Sequence, residues 1–171
     1  MNQTLFSAIF HTTAGWIGII SSTGGLRRVT FPHPTEGETR HELGPEAELA
    51  FPSEGRLQEI ITLLRGYFSG KPLDFYGCLD FDGATTFRRA VWEATRTIPY
   101  GETRSYAWVA AQIGKPKAAR AVGQALGENP LPIIVPCHRV LASDGSLCGF
   151  GGGLEMKKRL LELEINAADK R

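Results

Sequence analysis

The sequence predicts an α+β chain in two parts. A small N-terminal α/β domain, a β meander plus a helix, is expected over residues 1–84, and a mostly α domain with a helix-turn-helix over residues 85–171. Three observations carry this expectation. Short apolar runs separated by Thr/Gly turns fill the first thirty residues, apolar residues then recur at helical spacing from Leu57, and strand-like runs become rare after Asp82-Gly83-Ala84.

Taken in order, Leu5–Phe10, Gly15–Ile20 and Leu26–Phe31 read as the three strands, with turns at Thr12–Gly15 and Thr23-Gly24-Gly25. Residues 32–52 are polar, with scattered Gly, Pro and Glu, and are expected to form a long loop. Leu57, Ile60, Ile61, Leu64 and Phe68 predict an amphipathic helix, stopped at Ser69-Gly70-Lys71-Pro72. A short strand is expected at Leu79–Phe81.

In the second part, Thr85 or Thr86 caps a helix running to Arg96, and Ile98-Pro99-Tyr100-Gly101 breaks it. Helices are expected over Thr103–Ile113 and Lys117–Leu126, joined at Gly114-Lys115-Pro116. That pair fits a helix-turn-helix, although an ordinary helical hairpin is the commoner source of the pattern. Its second helix is rich in small residues, which leaves Lys117 and Arg120 as its prominent cations. Leu131–Val135 reads as a buried strand ended by Pro136, and Leu154–Glu164 as a final helix.

Composition sets the outer limits. With 42% hydrophobic and 22% charged residues among 171, the chain can build a core and is not a disordered polyelectrolyte. No apolar run is long enough to span a membrane, and Met1-Asn2-Gln3-Thr4 lacks a basic-then-apolar signal, so a cytoplasmic protein is expected. Residues 1–84 carry 6 Lys/Arg against 10 Asp/Glu, whereas residues 85–171 carry 13 against 8. A polyanion bound by the second half is compatible with that asymmetry, as is ordinary variation in surface charge. Cys78, Cys137 and Cys148 form no CxxC pair, so neither a disulfide framework nor structural zinc is expected. His11, His33 and His41 read as surface residues, and Cys148 as a packing residue.

The most informative segment is Pro136-Cys137-His138-Arg139-Val140. A cysteine directly after the break at Pro136 sits at an element end, where a thiol can reach a cleft. The thiolate is the nucleophilic form, so a neighbouring base or cation decides its reactivity. For the bare pair, a buried inert cysteine beside a surface histidine is the commoner case. Further on, Gly149-Phe150-Gly151-Gly152-Gly153 allows close approach of backbone to a ligand. It lacks the Lys-Ser/Thr of a nucleotide-binding P-loop. Glu162 and Glu164 fall late in the final helix, where a carboxylate opposes the helix dipole. The mismatch hints at a specific partner for one of them, while the pattern alone favours a solvated surface residue.

Residues Asn129 to Val140 (Asn-Pro-Leu-Pro-Ile-Ile-Val-Pro-Cys-His-Arg-Val) resemble the active-site signature of the O6-alkylguanine-DNA alkyltransferases, or methylated-DNA–protein-cysteine methyltransferases. The likeness extends upstream through Pro99–Thr103, Ser105-Tyr106 and Ala118–Gly123, and downstream through Gly152-Gly153-Leu154 and Lys157. It covers nearly all of residues 85–164, whereas the first 84 resemble the family only loosely. Proteins of this kind that lack the acceptor cysteine, cysteine hydrolases and plain DNA-binding regulators each fail to account for Cys137, His138 and Glu164 together with a DNA-binding helix.

The resemblance implies direct repair. Cys137 would take the alkyl group from guanine O6 in one irreversible displacement, without a cofactor or a metal. His138, through a water, would deprotonate the thiol, Glu164 would orient the imidazole, and Asn129 would stabilise the turn. The partner would be double-stranded DNA entered from the minor groove, about 6 Å wide, which favours a face built of Ala119, Ala121 and Gly123. Lys117 would add charge, Arg120 would replace the extruded base, and Tyr106 would crowd its phosphate and help the guanine leave. Val140, Phe150, Gly151 and Gly152 would line the pocket, although relatives commonly carry a small polar residue at the position of Gly151. A monomer without an obligate protein partner is expected. Cooperativity on DNA and action on O4-alkylthymine stay open.

Overall fold

Alternation of apolar and small residues along the first thirty positions builds the first sheet. In the computed structural model, which describes residues 3–170, β1 (Phe6–Thr12), β2 (Gly15–Ser22) and β3 (Gly25–Val29) form the expected antiparallel meander. Met1 and Asn2, read above for the lack of a signal, lie outside the described residues, as does Arg171. The β1–β2 register runs from Phe6 opposite Ser21 to Thr12 opposite Gly15, and it buries Ala8, Phe10, Ile17 and Ile19. At Gly25 the backbone has φ 141°, and a Cβ there would lie 2.3 Å from the Cys78 carbonyl, so only glycine fits.

The long loop expected over residues 32–52 is a correction. This stretch holds α1 (Glu36–Leu43), α2 (Glu46–Leu49) and β4 (Phe51–Pro52), the last pairing parallel to β1. Thr35 and Glu38 close a capping box that starts α1. Only Thr39 and Leu43 of α1 are buried, so the helix shows no apolar stripe from which periodicity could reveal it. The helix expected from Leu57 is α3 (Glu54–Phe68), which buries Leu57, Ile60, Ile61, Leu64, Tyr67 and Phe68. The strand expected at Leu79–Phe81 shrinks to a single bridge between Leu79 and Leu26.

The chain divides into two units, Met1–Asp82 and Gly83–Arg171. The second is mostly helical. Its first helix, α4 (Thr86–Arg96), is capped by Thr85, whose hydroxyl accepts from Arg88 N–H at 3.2 Å. The helix expected from Thr103 starts later: Arg104-Ser105 forms β5, paired parallel to β6 (Val140–Leu141), and α5 spans Tyr106–Gln112 with Ser105 as its cap. Likewise α6 begins at Ala119 and ends at Gly127, which leaves Lys117 in the preceding turn. Trp92 of α4 donates its indole N–H to the Ala125 carbonyl at 2.8 Å, which satisfies one of the last carbonyls of α6.

Leu131–Val135 is buried but is not a strand. It closes on itself through a bond of 2.8 Å from Val135 N–H to the Leu131 carbonyl. Beyond β6, α7 runs from Leu154 to Ala168, a turn further than its periodicity suggested. No helix among the described residues is long and apolar enough to cross a membrane. The α+β class expected from the sequence is the one the chain adopts.

Candidate active site

The turn carrying Cys137 is built from local backbone geometry. Pro136, with φ −78° and ψ 64°, makes an inverse γ-turn in which Cys137 N–H donates to the Val135 carbonyl at 2.7 Å. A single 3-10 turn, Cys137–Arg139, follows. Three residues upstream of Pro136, Ile133 sits at φ 75°, a left-handed conformation that costs a β-branched residue about 1–3 kcal/mol. Asn129 holds this strained segment. Its amide donates to the Val135 carbonyl at 2.9 Å and to Cys137 Sγ at 3.2 Å, while its Oδ1 accepts from Leu131 N–H at 2.9 Å.

His138 and Glu164 are both fully buried, and His138 Nε2 lies 2.6 Å from Glu164 Oε1. Glu164 comes from α7, a turn inside the helix end. The carboxylate therefore does not sit at the negative end of the helix dipole, and its partners are what place it. Arg139 completes the cluster: its Nε donates to Glu164 Oε2 at 2.9 Å, its Nη2 to Oε1 at 3.0 Å, and its Nη1 to the Ile98 carbonyl at 2.7 Å. Gly101 N–H adds a bond of 3.1 Å to Oε2. Burial by itself would raise the Glu164 carboxyl, but His138 and Arg139 outweigh it and hold it at about 2. Glu164 is thus an anion, so Nε2, the His138 nitrogen that faces it, carries a proton. Burial lowers the imidazole, with Arg139 and Lys157 acting in the same direction against Glu164.

Lys157 is wholly buried in the first turns of α7. Its Nζ donates to the Val140 carbonyl at 2.6 Å, to the Cys148 carbonyl at 3.3 Å and to the Tyr106 hydroxyl at 3.4 Å, and it lies 5.6 Å from the Phe150 ring centroid. Tyr106 in turn donates to the Cys148 carbonyl at 3.3 Å. Burial pushes the Cys137 thiol up to about 11, while the Asn129 amide and the Lys157 charge pull against that shift. Burial also raises the Tyr106 hydroxyl, which stays protonated as a donor.

The sequence-nominated residues fall into two groups. Asn129, Cys137, His138, Val140 and Glu164 meet around the 3-10 turn, and Tyr106 and Phe150 join them through Lys157. On α6, Arg120 is exposed, Ala119 and Ala121 are half-buried, and Gly123 faces Tyr106, since a Cβ there would lie 3.7 Å from the ring. Gly151 is exposed and Gly152 half-buried. A Cβ on Gly151 would meet only the Gly127 carbonyl, at 3.8 Å, so the space beside it is open. Cys148 is a correction: its thiol is exposed, not packed. His33 is half-buried and pairs with Glu42.

Sequence reasoning missed two residues, Arg139 and Lys157. Arg139 directly follows the histidine in an otherwise apolar, buried run. Lys157 is a cation near a helix N-terminus, where the dipole disfavours it. Each mismatch was a readable sign of a fixed partner.

Comparison with known proteins places this architecture. Residues 86–166 match the family described as 6-O-methylguanine DNA methyltransferase, DNA binding domain. A methylated-DNA–protein-cysteine methyltransferase of Mycobacterium bovis is 52% identical over 117 residues, which is 68% of this chain and 70% of that protein. One from Methanosarcina acetivorans is 41% identical over 160 residues, 94% of this chain and 98% of that one. The crystal structure of Mycobacterium tuberculosis OGT in complex with DNA superposes with a TM-score of 0.78 at 39% identity, over 95% of this chain and 94% of that chain. Identity of this extent along nearly the whole chain shows that it belongs to the methylated-DNA–protein-cysteine methyltransferase family.

Proposed function

We propose that this protein repairs O6-alkylguanine in DNA by moving the alkyl group to Cys137, each molecule acting once. Family membership gives the activity class and DNA as the partner. The observation that carries the assignment to Cys137 is the contact between its Sγ and Asn129, one residue from the His138–Glu164 pair. In the reaction the Cys137 sulfur attacks the alkyl carbon. A C–S bond forms, the C–O6 bond breaks, and guanine leaves with a proton delivered to it. The thiol proton passes to His138 through a water, and the stable thioether ends the protein's use. The protonated Tyr106 hydroxyl is the donor suited to the departing guanine.

Residues 85–171 form the DNA-binding and acceptor domain in this reading, and residues 1–84 a structural one. The helix-turn-helix of α5 and α6 enters the minor groove, Arg120 fills the space of the flipped base, and Lys117, Ala119 and Ala121 lie along the backbone. Exposed free thiols at Cys78 and Cys148 favour a reducing, cytoplasmic setting. We infer a monomer.

The test is incubation with a duplex oligonucleotide carrying O6-methylguanine, followed by intact mass and peptide mapping. One methyl on Cys137, absent in Cys137→Ala, is the expected result. Methyl on Cys148 instead, or no mass gain by folded protein, overturns the assignment.

A further inference from the structure

Glu164 and His138 form a buried pair, and a buried carboxylate facing an imidazole at 2.6 Å normally converts it to imidazolium. An imidazolium cannot accept a proton. The Arg139 guanidinium meets both oxygens of the same carboxylate, at 2.9 and 3.0 Å, in a fork–fork geometry. Its remaining Nη1 is fixed by the Ile98 carbonyl at 2.7 Å, and Glu164 takes a further bond from Gly101 N–H. The side chain is itself buried, so this geometry is held by packing on every side.

We propose that Arg139 is a positioning residue of the acceptor site, one that neutralises Glu164 and fixes both its oxygens, so that the carboxylate orients His138 without making it a permanent cation. The groups facing His138 agree with this balance. Glu164 is the anion of α7 that faces it, Lys157 on the same helix and Arg139 on the 3-10 turn are cations, and Cys137 beside it is a neutral thiol. The local sum without Arg139 would favour the imidazolium. With it, Nε2–H points at Glu164 and Nδ1 is the basic atom. This role rests on the alkyl-transfer reading for its purpose, but not for its measurement.

The test is an NMR titration of the histidine ring nitrogens in the intact chain. In the wild type, His138 is expected as the neutral Nε2–H tautomer at pH 7, titrating below the ordinary 6.5. In Arg139→Met the midpoint rises by about 1–3 units, as loss of an adjacent like charge requires. Arg139→Lys, which keeps the charge, stays nearer the wild type. The acid limb of the pH profile for benzyl transfer from free O6-benzylguanine moves upward with the Met midpoint. A wild-type His138 that is already imidazolium at pH 7 overturns the proposal, as does an unmoved midpoint in folded Arg139→Met. The wild-type tautomer is read without any substitution, so the outcome does not depend on the Met variant folding. Failure of the methyl-transfer assay would leave this titration readable, and the two readings fail separately.

Discussion

The side-chain amide of Asn129 donates to Cys137 Sγ at 3.2 Å and, from the same nitrogen, to the Val135 carbonyl at 2.9 Å. One side chain thereby ties the start of the turn to its end and touches the sulfur. The φ of 75° at Ile133 is held between those anchors. Asn129→Ala removes three bonds and leaves Val135 O and Leu131 N–H buried without it, so a loss of about 2–4 kcal/mol in urea unfolding is expected. Methyl transfer should slow by about tenfold or more in the fraction that stays folded, since the turn and the thiol both lose their support. A variant with wild-type stability and rate would show the clamp to be idle.

Glu164 supplies a pH-dependent part of the stability. Its folded-state pKa is depressed from 4.5 to about 2, so its contribution is fully present above about 4.5 and is lost as the pH falls through 2. The shift corresponds to about 3 kcal/mol. Glu164→Gln should therefore unfold more easily at pH 7 than the wild type, with the gap closing as both are titrated toward pH 2. A gap that persists at pH 2 would assign the loss to packing and not to charge.

Lys157 ties the 141–150 segment to α7 through the Val140 and Cys148 carbonyls. Lys157→Met matches its length and relieves the desolvation of a buried ammonium, so global stability should change by less than about 2 kcal/mol. The loss should appear locally, as hydrogen exchange at least about tenfold faster across residues 141–150, the mark of a lowered local opening energy. Unchanged exchange there would show that the loop is held by other contacts.

Arg120 is exposed on α6, so its side chain lies outside the packed core. Arg120→Ala should leave unfolding unchanged and spare reaction with free O6-benzylguanine, while slowing repair of a methylated duplex by about tenfold or more. Equal rates on both substrates would remove the base-flipping role.

Gly123 separates packing from recognition in a complementary way. An added methyl would make ordinary contact with the Tyr106 ring at 3.7 Å and replace a helix-interior glycine. Gly123→Ala should therefore stabilise the protein by about 0.5–1 kcal/mol. Weaker duplex binding at that higher stability would show that the small face serves DNA, and unchanged binding that it serves only Tyr106.

The sequence by itself determined the class of the fold, the meander, the amphipathic helix, the turn break at Pro136 and the residues of the acceptor signature, because each of these is written in local spacing or local backbone restriction. It hid α1, whose capping box has no apolar stripe behind it, and it disguised Leu131–Val135 as a strand, because burial without hydrogen-bond direction looks the same in either state. Only the tertiary structure decided what surrounds the thiol. Arg139 meets Glu164 from 25 positions away, and Lys157 reaches the Tyr106 hydroxyl from 51. Those meetings depend on how α7 packs against the 3-10 turn. The charge of each buried group depends on its neighbours, so the protonation of His138 and the poise of Cys137 exist only once the chain has folded.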